Sequence, residues 1–286
     1  MFKKGDWIIS LKICKESIRK WKNDPRIWSA MLLVCLFEWT KIQPIRQVCI
    51  EQDLSVSNWY FPFLFSENMN TLFFFFGILL LFCDAPFIDN QQMFVVLRSG
   101  KRNWFRGKVI YLFIASCIYF LWMYFVSLIE FLPYVGFSTK WEEILIGLSV
   151  DGRVGIRLVT IPGAVVLQFS PIQAWVMSYV ICVLLSFFLG LLIFYLNLFQ
   201  KQNIGVGVAL VIILITGVIE ILPTKYLWKM RYFSPISWAD IEIFTLDYGG
   251  VPFWYAITFL CVAIVLLIIL IMQKAKSYNM EAMEEL

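Results

Sequence analysis

The feature that most limits what this chain can become is its series of long apolar blocks. They lie at about 27–42, 71–88, 109–132, 172–199, 204–222 and 253–272, each close to the roughly 20 residues that a helix needs to cross a bilayer. Composition points the same way. Hydrophobic residues make up 60% of the chain and charged residues 15%, against about 45–50% and about 25% in ordinary soluble domains. The expected architecture is an all-α polytopic membrane protein with six transmembrane helices.

Lys and Arg give the orientation. Of 24 in the chain, 16 fall in 1–26, 89–108, 200–203 and 273–286. Cationic segments are retained on the cytoplasmic side, so both termini are expected there, in a multi-pass protein of the cell membrane. The outer loops are then 43–70, 133–171 and 223–252, and 273–286 is a cytoplasmic tail ending in the acidic run Glu281 to Glu285. Pro44 and Pro62 punctuate the first outer loop, with the aromatic group Trp59, Tyr60, Phe61 at the membrane interface. Residues 141–148 suit a short surface helix. Val154 to Phe169 is interrupted by Pro162-Gly163 and reads as an outer or re-entrant element. The Pro-rich, aromatic 223–252 segment suits one or two short helices at the outer surface.

Residues 1–26 lack the apolar core of a signal peptide. Trp7, Leu11, Cys14, Ile18 and Trp21 instead share one helix face, with Lys12, Lys15, Arg19 and Lys20 mostly off it. Such a helix lies in the headgroup layer with its Trp face inward; the alternative is a soluble amphipathic helix packed on a partner.

Several chemistries are excluded. The net charge of +4 is too small to indicate nucleic acid. Histidine is absent, which removes His-ligated metals, His bases and Ser-His-Asp catalysis. The 7 cysteines form no CxxC and mostly occupy apolar segments, where Cys behaves as a small hydrophobe. A phosphate-binding loop requires GxxxxGK followed by Ser or Thr. The nearest approach, Gly100 to Gly107-Lys108, has the wrong spacing and Val109 after the lysine, so any ATP hydrolysis belongs to another chain.

The stretch from Leu80 to Lys108 carries the functional signal. An apolar helix ends at Asp84-Ala85-Pro86, a short amphipathic piece spans 91–98, and the cations Arg98, Lys101, Arg102 and Arg106 follow around Gly100. Met93, Phe94, Val96 and Leu97 supply an apolar face that a loop kept only for orientation or lipid contact does not need. Protein docking does need one. Asp84 is expected to fix the junction between span and loop by pairing with Arg98 or Arg102. The other acids near spans, Glu38, Glu130 and Glu220, lie close to span ends. They suit interfacial anchoring or pairing, Glu38 with Lys41, or a role as intramembrane functional charges. The run Phe73–Phe76 is expected to pack against lipid or other helices.

Taken together, the basic N-terminal helix, six spans, LLLFCDAPF, RSGKRNWFRGK and the Pro-rich loop before the last span resemble the permease subunit of a type-two ATP-binding-cassette (ABC) exporter. Asp84-Ala85-Pro86-Phe87 with Arg98-Ser99-Gly100 is similar to permeases of Gram-positive peptide-export and antibiotic-immunity systems, and the resemblance covers nearly the whole chain. It implies an interfacial elbow helix at 4–22 and short outer helices at 224–250. It also implies a coupling helix at 91–98, which makes Met93, Phe94, Leu97, Arg98, Gly100, Lys101, Arg102 and Arg106 the ATPase-docking residues and Asp84 and Pro86 the junction. The implied partners are an ABC ATPase subunit, a second permease copy or sister permease, and membrane lipid. ATP and Mg would reside on the ATPase, with no cofactor on this chain. A peptide, antibiotic or lipid-like molecule would be exported from a bacterial cell. An ion-coupled secondary transporter is the alternative, although neither internal repeats nor midplane acids are evident. An intramembrane enzyme is less well supported. Glu142-Glu143 resembles one membrane-protease motif, but Gly147 stands where that motif needs Arg.

Overall fold

Two long helices begin on well-formed caps. Asp24 accepts a hydrogen bond from the Arg26 amide ahead of Pro25, and Ser170 and Gln173 form a reciprocal capping box around Pro171, so each Pro takes the first-turn position where its missing N–H costs nothing. The computed structural model describes residues 4–87, 92–151, 153–154, 157–158, 161–198, 204–219, 229–245 and 250–277. Within them the helices are α1 (Lys4–Arg19), α2 (Pro25–Gln52), α3 (Asn68–Phe82), α4 (Gln92–Ser99), α5 (Lys101–Phe131), α6 (Glu143–Asp151), α7 (Gly163–Gln168), α8 (Pro171–Asn197), α9 (Ile204–Ile219) and α10 (Phe253–Ser277). Sheet is minimal. β1 (Val56–Ser57) pairs in parallel with β2 (Val135–Gly136), and β3 (Arg153–Val154) pairs antiparallel with β4 (Arg157–Leu158).

Among the described residues three helices, α5, α8 and α10, are long and apolar enough to cross a membrane. The helices α3 and α9 are apolar but shorter, at 15 and 16 residues, which is about 22–24 Å of helix against a hydrocarbon core of about 30 Å. With 28 residues, α2 has the length, but Glu38, Lys41 and Arg46 lower its hydropathy.

The helix α5 forms the centre, packed against α1, α2, α8 and α10, while α8 also packs against α9. Its buried stripe Trp104, Tyr111, Ala115, Tyr119 and Met123 recurs at helical spacing. Polar side chains join the helices at depth: Ser186 donates to Ser116 at 2.9 Å, and the Tyr119 hydroxyl donates to the Phe74 carbonyl at 2.8 Å. Phe74 and Phe75 are fully buried, so the Phe73–Phe76 run packs against helices.

The helix boundaries depart from the sequence reading in informative ways. Past Pro44, α2 continues to Gln52 rather than opening into a loop at 43. Val34, Glu38, Ile42, Ile45 and Cys49 form one unbroken buried stripe, and that packing outweighs the roughly 3 kcal/mol that an internal Pro costs. The basic run 101–108 is likewise helix, the first two turns of α5, because Trp104, Phe105 and Lys108 extend its buried face backwards. The short surface helix is α6, starting at Glu143 rather than 141. Within 154–169 the structure describes strand residues and the six-residue α7; α7, about 9 Å long, cannot span. The described part of 223–252 holds helical residues 229–231 and two short 3-10 segments, Pro235–Ala239 and Ile241–Phe244. Their Ile236, Trp238, Ala239, Ile241 and Ile243 are buried, and the first segment packs against α3, α8 and α9. Glu220, the 200–203 turn and the acidic end of the tail lie outside the described residues.

Candidate functional site

The helix α4 is held by one face and presents the other. Trp104 Nε1 donates to Gln92 Oε1 at 2.7 Å, both residues being buried, and Val96 one turn on is 2% exposed. On the opposite face Phe94 is 73% exposed and Leu97 63% exposed, with Arg98 exposed beside them. Spacings of three and four residues put all three on one surface. Met93 lies within α4. The chain then turns at Gly100, where φ is 80°, a value that glycine adopts readily and other residues do not. The Trp104 amide closes the turn on the Gly100 carbonyl at 3.2 Å. Lys101 and Arg106 are partly buried on the first turns of α5, and Arg102 is exposed. The eight residues expected to dock a partner therefore form one continuous piece, α4–Gly100–α5.

Asp84 belongs to a different arrangement from the one expected. It pairs with Arg26 in the first turn of α2, not with Arg98 or Arg102, because the turn after α3 faces the start of α2. Pro86 is buried. Asn197, at the end of α8, knits this junction together. Its Nδ2 donates to the Ala85 carbonyl at 2.7 Å and its Oδ1 accepts from the Gly205 amide at 2.9 Å, so one side chain joins the α3 turn, α8 and α9.

Lys108 was legible only as one more cation of the basic run, yet it is 2% exposed. Its Nζ donates to Ser17 Oγ at 3.2 Å and lies 5.5 Å from the centroids of both the Phe87 and Trp104 rings, a desolvated cation–π arrangement. A cavity of about 350 Å³ opens at the same junction, with Trp21, Arg26, Asp84, Lys108, Tyr111 and Asn197 in its wall.

The N-terminal helix closes the site from the side. Ser10 donates to the Asn103 carbonyl at 3.1 Å, Asn103 donates to Asp6 at 3.4 Å, and Trp21 donates to the Tyr111 hydroxyl at 2.9 Å. A Cβ on Gly107 would sit 2.8 Å from the Ile13 side chain, so only glycine permits this crossing. The expected single face is thus divided. Cys14 is buried against α5, while Trp7, Ile8 and Leu11 remain 51–52% exposed. Burial pushes the Cys14 thiol up, with the charge of Lys108 opposing.

At the other end of α2 and α5 the acids also depart from expectation. Lys41 pairs with Glu67 rather than with Glu38. Glu38 is fully buried, and among the described residues neither of its carboxyl oxygens has a hydrogen-bond partner.

Among the described residues no group of three or more His, Cys, Asp or Glu is placed to hold a metal. The class that fold and site define is a helical bundle with three potential membrane-crossing helices and a short, outward-facing amphipathic helix between two apolar ones. No family model, no curated protein and no solved structure matches the chain.

Proposed function

We propose that this chain is the membrane-spanning permease subunit of an ABC transporter, driven by ATP hydrolysis on a separate subunit that docks on α4. The observation that carries this is the exposure of Phe94 and Leu97 on a helix whose other face is fixed by Gln92, Val96 and Trp104. A knob held so rigidly transmits a push from its partner into α5 and, through the Ala85–Asn197 bond, into α8 and α9. The helix α1, with Trp7, Ile8 and Leu11 outward, suits an elbow lying in the headgroup layer.

In this reading six segments, α2, α3, α5, α8, α9 and α10, cross the cell membrane, with both termini and α4 on the cytoplasmic side. A second permease copy or sister permease completes the pathway, and ATP and Mg remain on the ATPase. Closure of the ATPase then shifts the equilibrium between two arrangements of the helices. The cargo is a peptide, antibiotic or lipid-like molecule moving outward. The test is co-purification from native membranes. An ATP-hydrolysing subunit is expected with the wild-type chain and is lost from Phe94→Asp and Leu97→Asp variants that still insert. Retention by both variants would contradict the docking role.

An ion-coupled secondary transporter has one observation in its favour, the unpartnered buried Glu38, since intramembrane acids mark ion pathways. Export that persists with the ATPase inactivated and collapses with the ion gradient would establish it instead.

A further inference from the structure

Glu38 is anomalous in physical terms. An ionised carboxylate taken out of water with no counter-charge and no donor costs far more than any packing gain returns, so such groups are neutralised. Here the side chain is 0% exposed, and both oxygens lack a partner. The nearest cation on its own helix face, Lys41, is committed to Glu67. Arg46, two turns on, lies over the Trp39 ring and donates to the Leu132 carbonyl at 3.4 Å.

Among the described residues, the other groups around Glu38 bring no positive charge. Glu130 of α5 is close enough for its charge to act on Glu38, and its own Oε2 is buried without a partner. Tyr119 of α5 spends its hydroxyl proton on Phe74. Tyr60, from the segment after α2, is buried, and Cys35 sits one turn before Glu38 on α2. Two carboxyl groups thus lie on the packed helices α2 and α5. Glu38 is sealed and Glu130 is partly exposed.

We propose that Glu38 and Glu130 form a proton-binding site, in which Glu38 holds an exchangeable proton that reaches it by way of Glu130. Like charges in one dry site cannot both persist, so one proton between them resolves the clash, and the partly exposed Glu130 gives it a route. Its loss leaves two negative charges between α2 and α5 and favours an arrangement in which water reaches them. The inference rests on the burial of Glu38, on the unpartnered oxygens of both acids and on the packing of α2 against α5. It holds whether or not an ATPase docks on α4.

Dicyclohexylcarbodiimide, an apolar reagent that reacts with protonated carboxyls, tests this on the full chain in liposomes, with the adduct located by mass spectrometry. Labelling at Glu38 is expected in acid buffer, decreasing by about tenfold or more in alkaline buffer, unaffected by sodium and absent from Glu38→Gln. Glu130→Gln should shift the pH at which labelling is lost. Labelling independent of pH would mean a fixed structural proton, and suppression by sodium at constant pH would mean a metal-cation site. Either result, a complete lack of labelling at Glu38, or no shift in Glu130→Gln would overturn the proposal.

Discussion

Asp84 and Arg26 meet across 58 positions of sequence, each side chain about half exposed at 55% and 52%. An ion pair so open to water contributes roughly 0–1 kcal/mol, so its value is positional: it ties the turn after α3 to the start of α2. Asp84→Ala should therefore lower stability by no more than about 1 kcal/mol; under the proposed permease role it should also uncouple transport from ATP hydrolysis, and the swap Asp84→Arg with Arg26→Asp should restore coupling. Normal ATP-driven export by Asp84→Ala would end that account. Cys14 offers a separate check. Burial pushes its thiol up and thiolate is the reactive form, so maleimide should leave Cys14 unmodified in the native protein and modify it only after denaturation. At this scale the sequence was half readable. Asp84-Ala85-Pro86 announced a junction by its composition, but the partner did not, since nothing local distinguishes Arg26 from the other cations of the inner segments. Lys108 and Asn197 were hidden for the same reason, because their roles exist only once α1, α5 and α8 are packed.

The α4–Gly100–α5 element depends on one backbone angle. With φ at 80°, a β-branched residue at position 100 is strained by about 1–3 kcal/mol. Gly100→Val should thus reorient α4 and weaken ATPase association more than it lowers melting temperature, measured side by side on the purified complex. Gly107→Leu acts on a neighbouring contact. The added side chain collides with Ile13, and overpacking of this kind costs about 1–3 kcal/mol, so α1 should detach and become accessible to protease. The apolar and amphipathic periods made both elements visible in the sequence. Their limits were not, because Pro44 and the basic run look like interruptions until the buried stripes of α2 and α5 are seen to pass through them.

For the whole molecule, apolar block length alone gave a helical bundle, and the structure has α5, α8 and α10 with the length and apolarity to cross a membrane. Block length carried less information at 71–88 and 204–222. The first of these helices stops at Phe82 and the second is described to Ile219, so the count of crossings rests on how these shorter helices sit beside the long ones. Helix ends depend on turns such as 83–87, which hydropathy does not register. The most direct measurement is site-specific cross-linking from Leu97→Cys in intact cells and in inside-out vesicles. If α4 receives an engine on the inner side, the cysteine should react with a membrane-impermeant reagent only in inside-out vesicles and cross-link to a subunit that hydrolyses ATP. Reaction in intact cells, or ATP turnover by the purified chain alone, would contradict it.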